Sequence, residues 1–190
     1  MITIAVIGRA SHGPGDSVPE ATLTAAYAVG RGIAEAGAAL VSGGTSGVME
    51  AASRGARDAG GLTIGVLPGM DRAEANEFVD VALPTGLGTA RNLIYPRGCD
   101  AVVMVGGGAG TLNELTIAYQ AGTSVVIVEG SGGWADRIRP VLVAGRYLDE
   151  RRTVEIEFAA SGGEAARRAI ELAEAAARVP STRSDPTLRE

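Results

Sequence analysis

The sequence predicts an α/β fold: a Rossmann-like, doubly wound, mostly parallel sheet with helices on both faces. Three observations carry this expectation. Apolar, β-branched runs of three to six residues alternate with longer helical segments along the whole chain. Some runs are apolar throughout, as in Ala101-Val102-Val103-Met104-Val105, the pattern of a strand covered on both faces. Much of the glycine, 28 of 190 residues, falls where a strand gives way to a helix.

The elements follow in order. Ile2 to Ile7 reads as the first strand, ending at Gly8. Arg9 to Asp16 is a loop containing Gly13, Pro14 and Gly15. Ser17-Val18-Pro19-Glu20 is a capping-box pattern and predicts a helix from there to about Gly37. Ala39-Leu40-Val41 is the second strand, and Gly43-Gly44-Thr45-Ser46-Gly47 opens a helix that ends near Gly60. Leu62 to Leu67 is the third strand, stopped by Pro68-Gly69. After a polar loop from Met70 to Glu77, Phe78 to Leu83 alternates like an edge strand. Thr89 to Arg97 reads as a short helix and Ala101 to Val105 as a central strand. Gly106 to Gly110 then leads into a helix from Thr111 to Ala121. Ser124 to Val128 is a further buried strand, followed by a helix around Ala135 to Val143 and a weaker strand from Thr153 to Phe158. Ser161-Gly162-Gly163-Glu164 is a second capping box and starts an Ala-rich helix to about Arg178. Residues 1–179 are read as one nucleotide-binding domain and 180–190 as a polar, disordered tail.

Composition narrows the function. A net charge of −5 with no basic run speaks against nucleic acid as a partner. The first strand begins at once without a signal peptide, and no apolar run approaches the ~18 residues of a membrane span. Cys99 is the only cysteine, so no disulfide can form within the chain, and a cytoplasmic location is expected. One cysteine and one histidine, His12, leave no cluster to hold a metal. All 17 basic residues are arginine. Without a lysine the chain can neither form a Schiff base with pyridoxal phosphate nor build a Walker A phosphate loop. No cofactor is expected.

Ligands of such sheets bind beyond the carboxyl ends of the strands, at the switch point. If Ile2 to Ile7 and Ala101 to Val105 are neighbours, the loops after them face one crevice, with Gly43 to Gly47 one strand away. Glycine-rich loops that open helices expose backbone N–H groups, and the helix dipole favours an anion there. The expected ligand contacts are Gly8, Arg9, Ser11, Gly43, Gly44, Thr45, Gly107, Gly108, Gly110 and Thr111, with Ser46 as a further hydroxyl donor. Gly8 is followed by Arg9-Ala10 and not by the full Gly-x-Gly-x-x-Gly spacing, which disfavours a standard dinucleotide site. Met49, Met70, Tyr95 and Trp134 are candidates for the pocket wall.

Two readings of Glu114 stand. Thr111-x-x-Glu114 is a capping-box pattern, in which the carboxylate reaches back to a backbone N–H. Alternatively, Glu114 faces the sugar of a bound nucleotide and stabilises an oxocarbenium-like state. Arg91 is either a surface arginine or a planar fork for a phosphate or leaving group.

At these residues the sequence resembles the LONELY GUY (LOG) superfamily, long labelled lysine decarboxylases. The family's first motif, Gly-Gly followed by Gly-Leu-Met, is matched by Gly43-Gly44-Thr45-Ser46-Gly47-Val48-Met49. Its second, Pro-Gly-Gly-x-Gly-Thr-x-x-Glu, is matched from Gly106 to Glu114. Arg91 lies fifteen positions before Gly106, the family interval. The resemblance implies a phosphoribohydrolase, which cleaves a nucleoside 5′-monophosphate to free base and ribose 5-phosphate. It implies Arg91 and Glu114 as the catalytic pair and a homodimer or higher homo-oligomer as the assembly. Gly106 stands where the motif has Pro, and Asn92 where LOG enzymes usually have Lys. In both respects the chain is similar to a sister subgroup that includes molybdenum cofactor carrier proteins, which bind a phosphorylated pterin without turnover. A hydrolase and a non-catalytic carrier are therefore the two functions in play, with a domain whose glycines only pack as a third.

Overall fold

The computed structural model describes residues 1–11, 13 and 15–178. His12 and the tail at 180–190 lie outside the described residues. Seven strands form one sheet in the order β4-β3-β2-β1-β5-β6-β7. They are β1 (Thr3–Gly8), β2 (Ala39–Ser42), β3 (Thr63–Leu67), β4 (Val81–Pro84), β5 (Ala101–Val105), β6 (Ser124–Val128) and β7 (Ile156–Ala159). Every pairing is parallel, the edge strand β4 included. The chain builds outward from β1 to β4, returns, and builds outward again from β5 to β7. The switch point therefore lies between β1 and β5, which pair from Ile4↔Ala101 to Gly8↔Val105. This is the neighbour relation on which the expected crevice depends.

Successive side chains of a strand point to opposite faces, so the central strands feed two cores. Ile4, Val6, Leu40, Val103 and Val105 meet α1 (Glu20–Glu35), α2 (Val48–Asp58) and α6 (Gly162–Arg178). Ala5, Ile7, Val41, Val102 and Met104 meet the other side, built by α3 (Tyr95–Gly98), α4 (Ala109–Gln120) and α5 (Gly133–Arg137). Cys99 is buried in this second core, where burial pushes its thiol up to about 12. No helix among the described residues is long and apolar enough to cross a membrane.

Several boundaries differ from expectation, each for a local reason. α1 begins at Glu20, not Ser17, and its N-cap Pro19 makes no side-chain cap bond. Proline suits the edge of a helix but not its interior. The predicted helix from Thr89 to Arg97 is a 3₁₀ segment, Gly88–Leu93, followed by the four-residue α3, with Pro96 near its start. The predicted helix from Ala135 to Val143 stops at Arg137, and a 3₁₀ turn, Arg139–Val141, holds Pro140. At α6 the capping box does form: Ser161 Oγ accepts from the Glu164 N–H at 3.2 Å, and the Glu164 carboxylate accepts from the Ala160 N–H at 2.9 Å.

Candidate functional site

A crevice of about 680 Å³ opens beyond the carboxyl ends of β1, β2 and β5. One wall is the loop after β1, with Gly8, Arg9, Ala10, Ser11 and Asp16. A second is the start of α2, with Thr45, Ser46 and Met49. Pro68 and the 3₁₀ segment contribute Gly88, Thr89, Arg91 and Asn92, and α4 contributes Gly108 to Thr111 and Glu114. Among the expected contacts, Gly8, Arg9, Ser11, Thr45, Gly108, Gly110, Thr111, Arg91 and Glu114 are brought together here. Gly43, Gly44 and Gly107 are not among the lining residues. Of the four proposed wall residues only Met49 lines the crevice; Tyr95 is buried beneath it and Met70 is exposed elsewhere. Trp134 packs at the edge of the second core.

The two glycine-rich junctions differ in what they leave open. At α2, the Val48 N–H already donates to Arg9 O at 3.0 Å. Ser46 Oγ donates to Ser11 O at 2.7 Å and accepts from the Ser11 N–H at 3.2 Å, stitching the first and second loops together. The Gly44 carbonyl accepts from the backbone and side chain of Asn76. At α4, by contrast, Gly108, Ala109 and Gly110 are exposed. The N-cap is Gly108, without a side-chain cap, and the first main-chain bond of the helix runs from Leu112 N–H to Gly108 O. The N–H groups of Ala109, Gly110 and Thr111 precede that bond and have no main-chain acceptor among the described residues.

Arg91 is not a loose surface arginine. Its guanidinium donates to the carbonyls of Gly43 and Val66, at the ends of β2 and β3. A Cβ placed on Gly43 would stand 2.5 Å from that guanidinium, so the glycine makes room for the arginine. Arg9 pairs with Asp16 across the β1 loop.

Glu114 is 6% exposed and accepts a hydrogen bond from the Tyr95 hydroxyl. The capping-box reading of Glu114 fails here. α4 begins two residues before Thr111, so Thr111 lies inside the helix and Glu114 in its second turn, turned away from the N-cap amide. Burial pushes the Glu114 carboxyl up to about 7, although the Tyr95 bond and the Arg91 charge both act to lower it. Tyr95 is itself pushed well up, first by burial and then by Glu114. Beside this pair, Asn92, 6% exposed, donates to Asn113 Oδ1 at 3.1 Å. The roles of Asp16 and Tyr95 escape sequence reading, since each rests on a side-chain partner that no local pattern marks.

A parallel α/β domain with a crevice at its switch point defines the class of open-sheet proteins whose ligands sit at the sheet's carboxyl edge. The chain belongs to the SLOG cluster4 family, whose model matches residues 1–161. Among solved structures, it is similar to the protein TM1055, with 39% identity and a TM-score of 0.82, covering 90% of this chain and 99% of that one. It is also similar to the molybdenum cofactor carrier protein of Chlamydomonas reinhardtii, with 34% identity and a TM-score of 0.74 over 90% of this chain and 98% of that one. The molybdenum cofactor binding protein of Rippkaea orientalis is 31% identical, with a TM-score of 0.74 over 93% and 97% of the two chains.

Proposed function

We propose that this protein binds a small phosphorylated heterocycle of the molybdenum cofactor kind and does not cleave it. The observation that carries the reading is the engagement of Arg91. Its guanidinium donates to two main-chain carbonyls, Gly43 and Val66, and so serves the architecture of the β2 and β3 loops. Both bonds are made by Nη1, which takes one arm of the guanidinium away from a leaving group. The anion seat in this reading is the start of α4, whose first N–H groups, reinforced by the helix dipole, donate to the phosphate. Gly108 and Gly110 let the phosphate approach closely, Thr111 adds a hydroxyl, and Gly8, Arg9, Ser11 and Thr45 form the facing wall. The likeness to two molybdenum cofactor proteins supports the choice of ligand. The ligand is cargo here, and with no lysine in the chain pyridoxal phosphate chemistry has no anchor.

A hydrolytic reading has one observation in its favour. Glu114 lines the crevice with a carboxyl raised to about 7, a value suited to proton transfer near neutral pH. In that reading a nucleoside monophosphate seats its phosphate on α4. Glu114 then faces the ribose carbon, where positive charge develops as the N-glycosidic bond breaks. Arg91 would serve this reading through Nη2 or Nε, since Nη1 is held by the Gly43 and Val66 carbonyls. Chromatography separates the two readings. Purified protein is incubated with molybdenum cofactor released from a molybdoenzyme and, separately, with a panel of nucleoside 5′-monophosphates. The expected result is retained molybdenum cofactor and no free base or ribose 5-phosphate. Release of base that disappears in Glu114→Gln would overturn the carrier reading.

A further inference from the structure

Two carboxyls line the crevice, and their surroundings differ. Asp16 has Arg9 as an ion-pair partner, whereas Glu114 is buried and bonded to a hydroxyl. Glu114 follows the anion seat by one helical turn, so its carboxyl and the free N–H groups of α4 open into the same space. Few charges can answer it. From the 3₁₀ segment comes Arg91, whose charge favours the carboxylate while its Nη1 is tied to two carbonyls. α3 brings Tyr95, with the buried Cys99 behind it and Arg97 exposed. The strands under α4, namely β1, β5 and β6, carry no charged residue. On α5, Asp136 accepts from the Gly130 and Gly132 amides. Across the crevice stands the Arg9–Asp16 pair.

We propose that ligand capture in this crevice is proton-linked: Glu114 becomes a neutral acid as the phosphorylated ligand arrives and returns to a carboxylate as it leaves, while Tyr95 positions the carboxyl in both states. The proposal rests on the reading that the crevice takes a phosphorylated ligand. A phosphate one turn away makes a second negative charge costly in a partly dry site. The neutral acid removes that repulsion. A tyrosine hydroxyl donates to a carboxylate and accepts from a carboxylic acid, so the Tyr95 contact survives the change. Burial already raises Glu114 to about 7 in the free protein. Below that pH the acid is preformed and binding takes up no proton. Above it each ligand brings in one proton, and affinity falls by up to about tenfold per pH unit.

The test is isothermal titration calorimetry between pH 5.5 and 9 on wild type, Glu114→Gln and Tyr95→Phe. The probes are inorganic sulfate, which does not titrate in this range, GMP, and molybdenum cofactor released from a molybdoenzyme. Wild-type affinity for sulfate is expected to be flat below about pH 6 and to fall above 7, whereas Glu114→Gln stays flat throughout. Tyr95→Phe removes a bond that favours the ionised acid, so the onset of the fall moves to higher pH. A flat wild-type profile, or an equally steep one in Glu114→Gln, overturns the proton link and leaves the carrier reading standing. An unmoved onset in Tyr95→Phe overturns the positioning role. Failure of all three probes to bind at any pH overturns both the link and the reading beneath it.

Discussion

The two glycine-rich junctions of this protein look alike in sequence and differ in how far their helix starts are tied to neighbouring loops. Gly43 to Gly47, between β2 and α2, is tied to its neighbours: Val48 donates to Arg9 O, Ser46 is stitched to Ser11, and Arg91 holds the Gly43 carbonyl. Gly106 to Thr111, between β5 and α4, leaves its helix start exposed to the crevice. A glycine-rich turn into a helix is thus not in itself an anion site. The first N–H of α2 is taken by a loop carbonyl, whereas that of α4, on Ala109, has no carbonyl partner among the described residues. In the first junction glycine serves close packing; in the second Gly106 and Gly107 pack in the same way, while Gly108 and Gly110 have nothing within 4 Å of a Cβ.

That contrast can be broken by substitution. The largest effect is expected from Gly44→Val. Gly44 has φ +72°, and a Cβ there would stand 2.8 Å from Gly65 Cα and 2.9 Å from Leu67 Cδ2. Left-handed strain and overpacking together predict a loss of about 2–5 kcal/mol in denaturant unfolding. Next comes Arg91→Ala, which strips the donor from two carbonyls; a loss of about 2–3 kcal/mol is expected, and Arg91→Lys, lacking the fork, recovers only part of it. The smallest effect on stability is expected from Gly110→Ala. Nothing lies within 4 Å of its Cβ position, so stability changes by less than about 1 kcal/mol, in the favourable direction of helix propensity. Phosphate-ligand affinity should nonetheless drop by about tenfold or more, as the methyl enters the seat. Equal destabilisation by Gly44→Val and Gly110→Ala would erase the distinction.

The framework was legible because it rests on local pattern. The apolar runs at Ala101–Val105 and Ser124–Val128 coincide with β5 and β6, since a strand buried on both faces has no polar position to blur its ends. The switch point followed from strand order, and with it the crevice. Helix boundaries were less legible where proline intervenes, at Pro19, Pro96 and Pro140. At Thr111-x-x-Glu114 a capping-box pattern conceals a carboxyl turned inward to Tyr95, nineteen residues earlier in the chain. The grip of Arg91 on Gly43 and Val66, forty-eight and twenty-five residues away, lies equally beyond local pattern. Such contacts depend on which loops the sheet order brings together, and their partners are main-chain atoms that carry no residue signature.

The most direct test of the central claim is amide NMR of isotope-labelled protein titrated with molybdenum cofactor released from a molybdoenzyme. The largest shifts are predicted at Ala109, Gly110 and Thr111, with little change at Val48, whose N–H already meets the Arg9 carbonyl. Shifts led by Val48 and its neighbours, or none in either loop, would contradict the account.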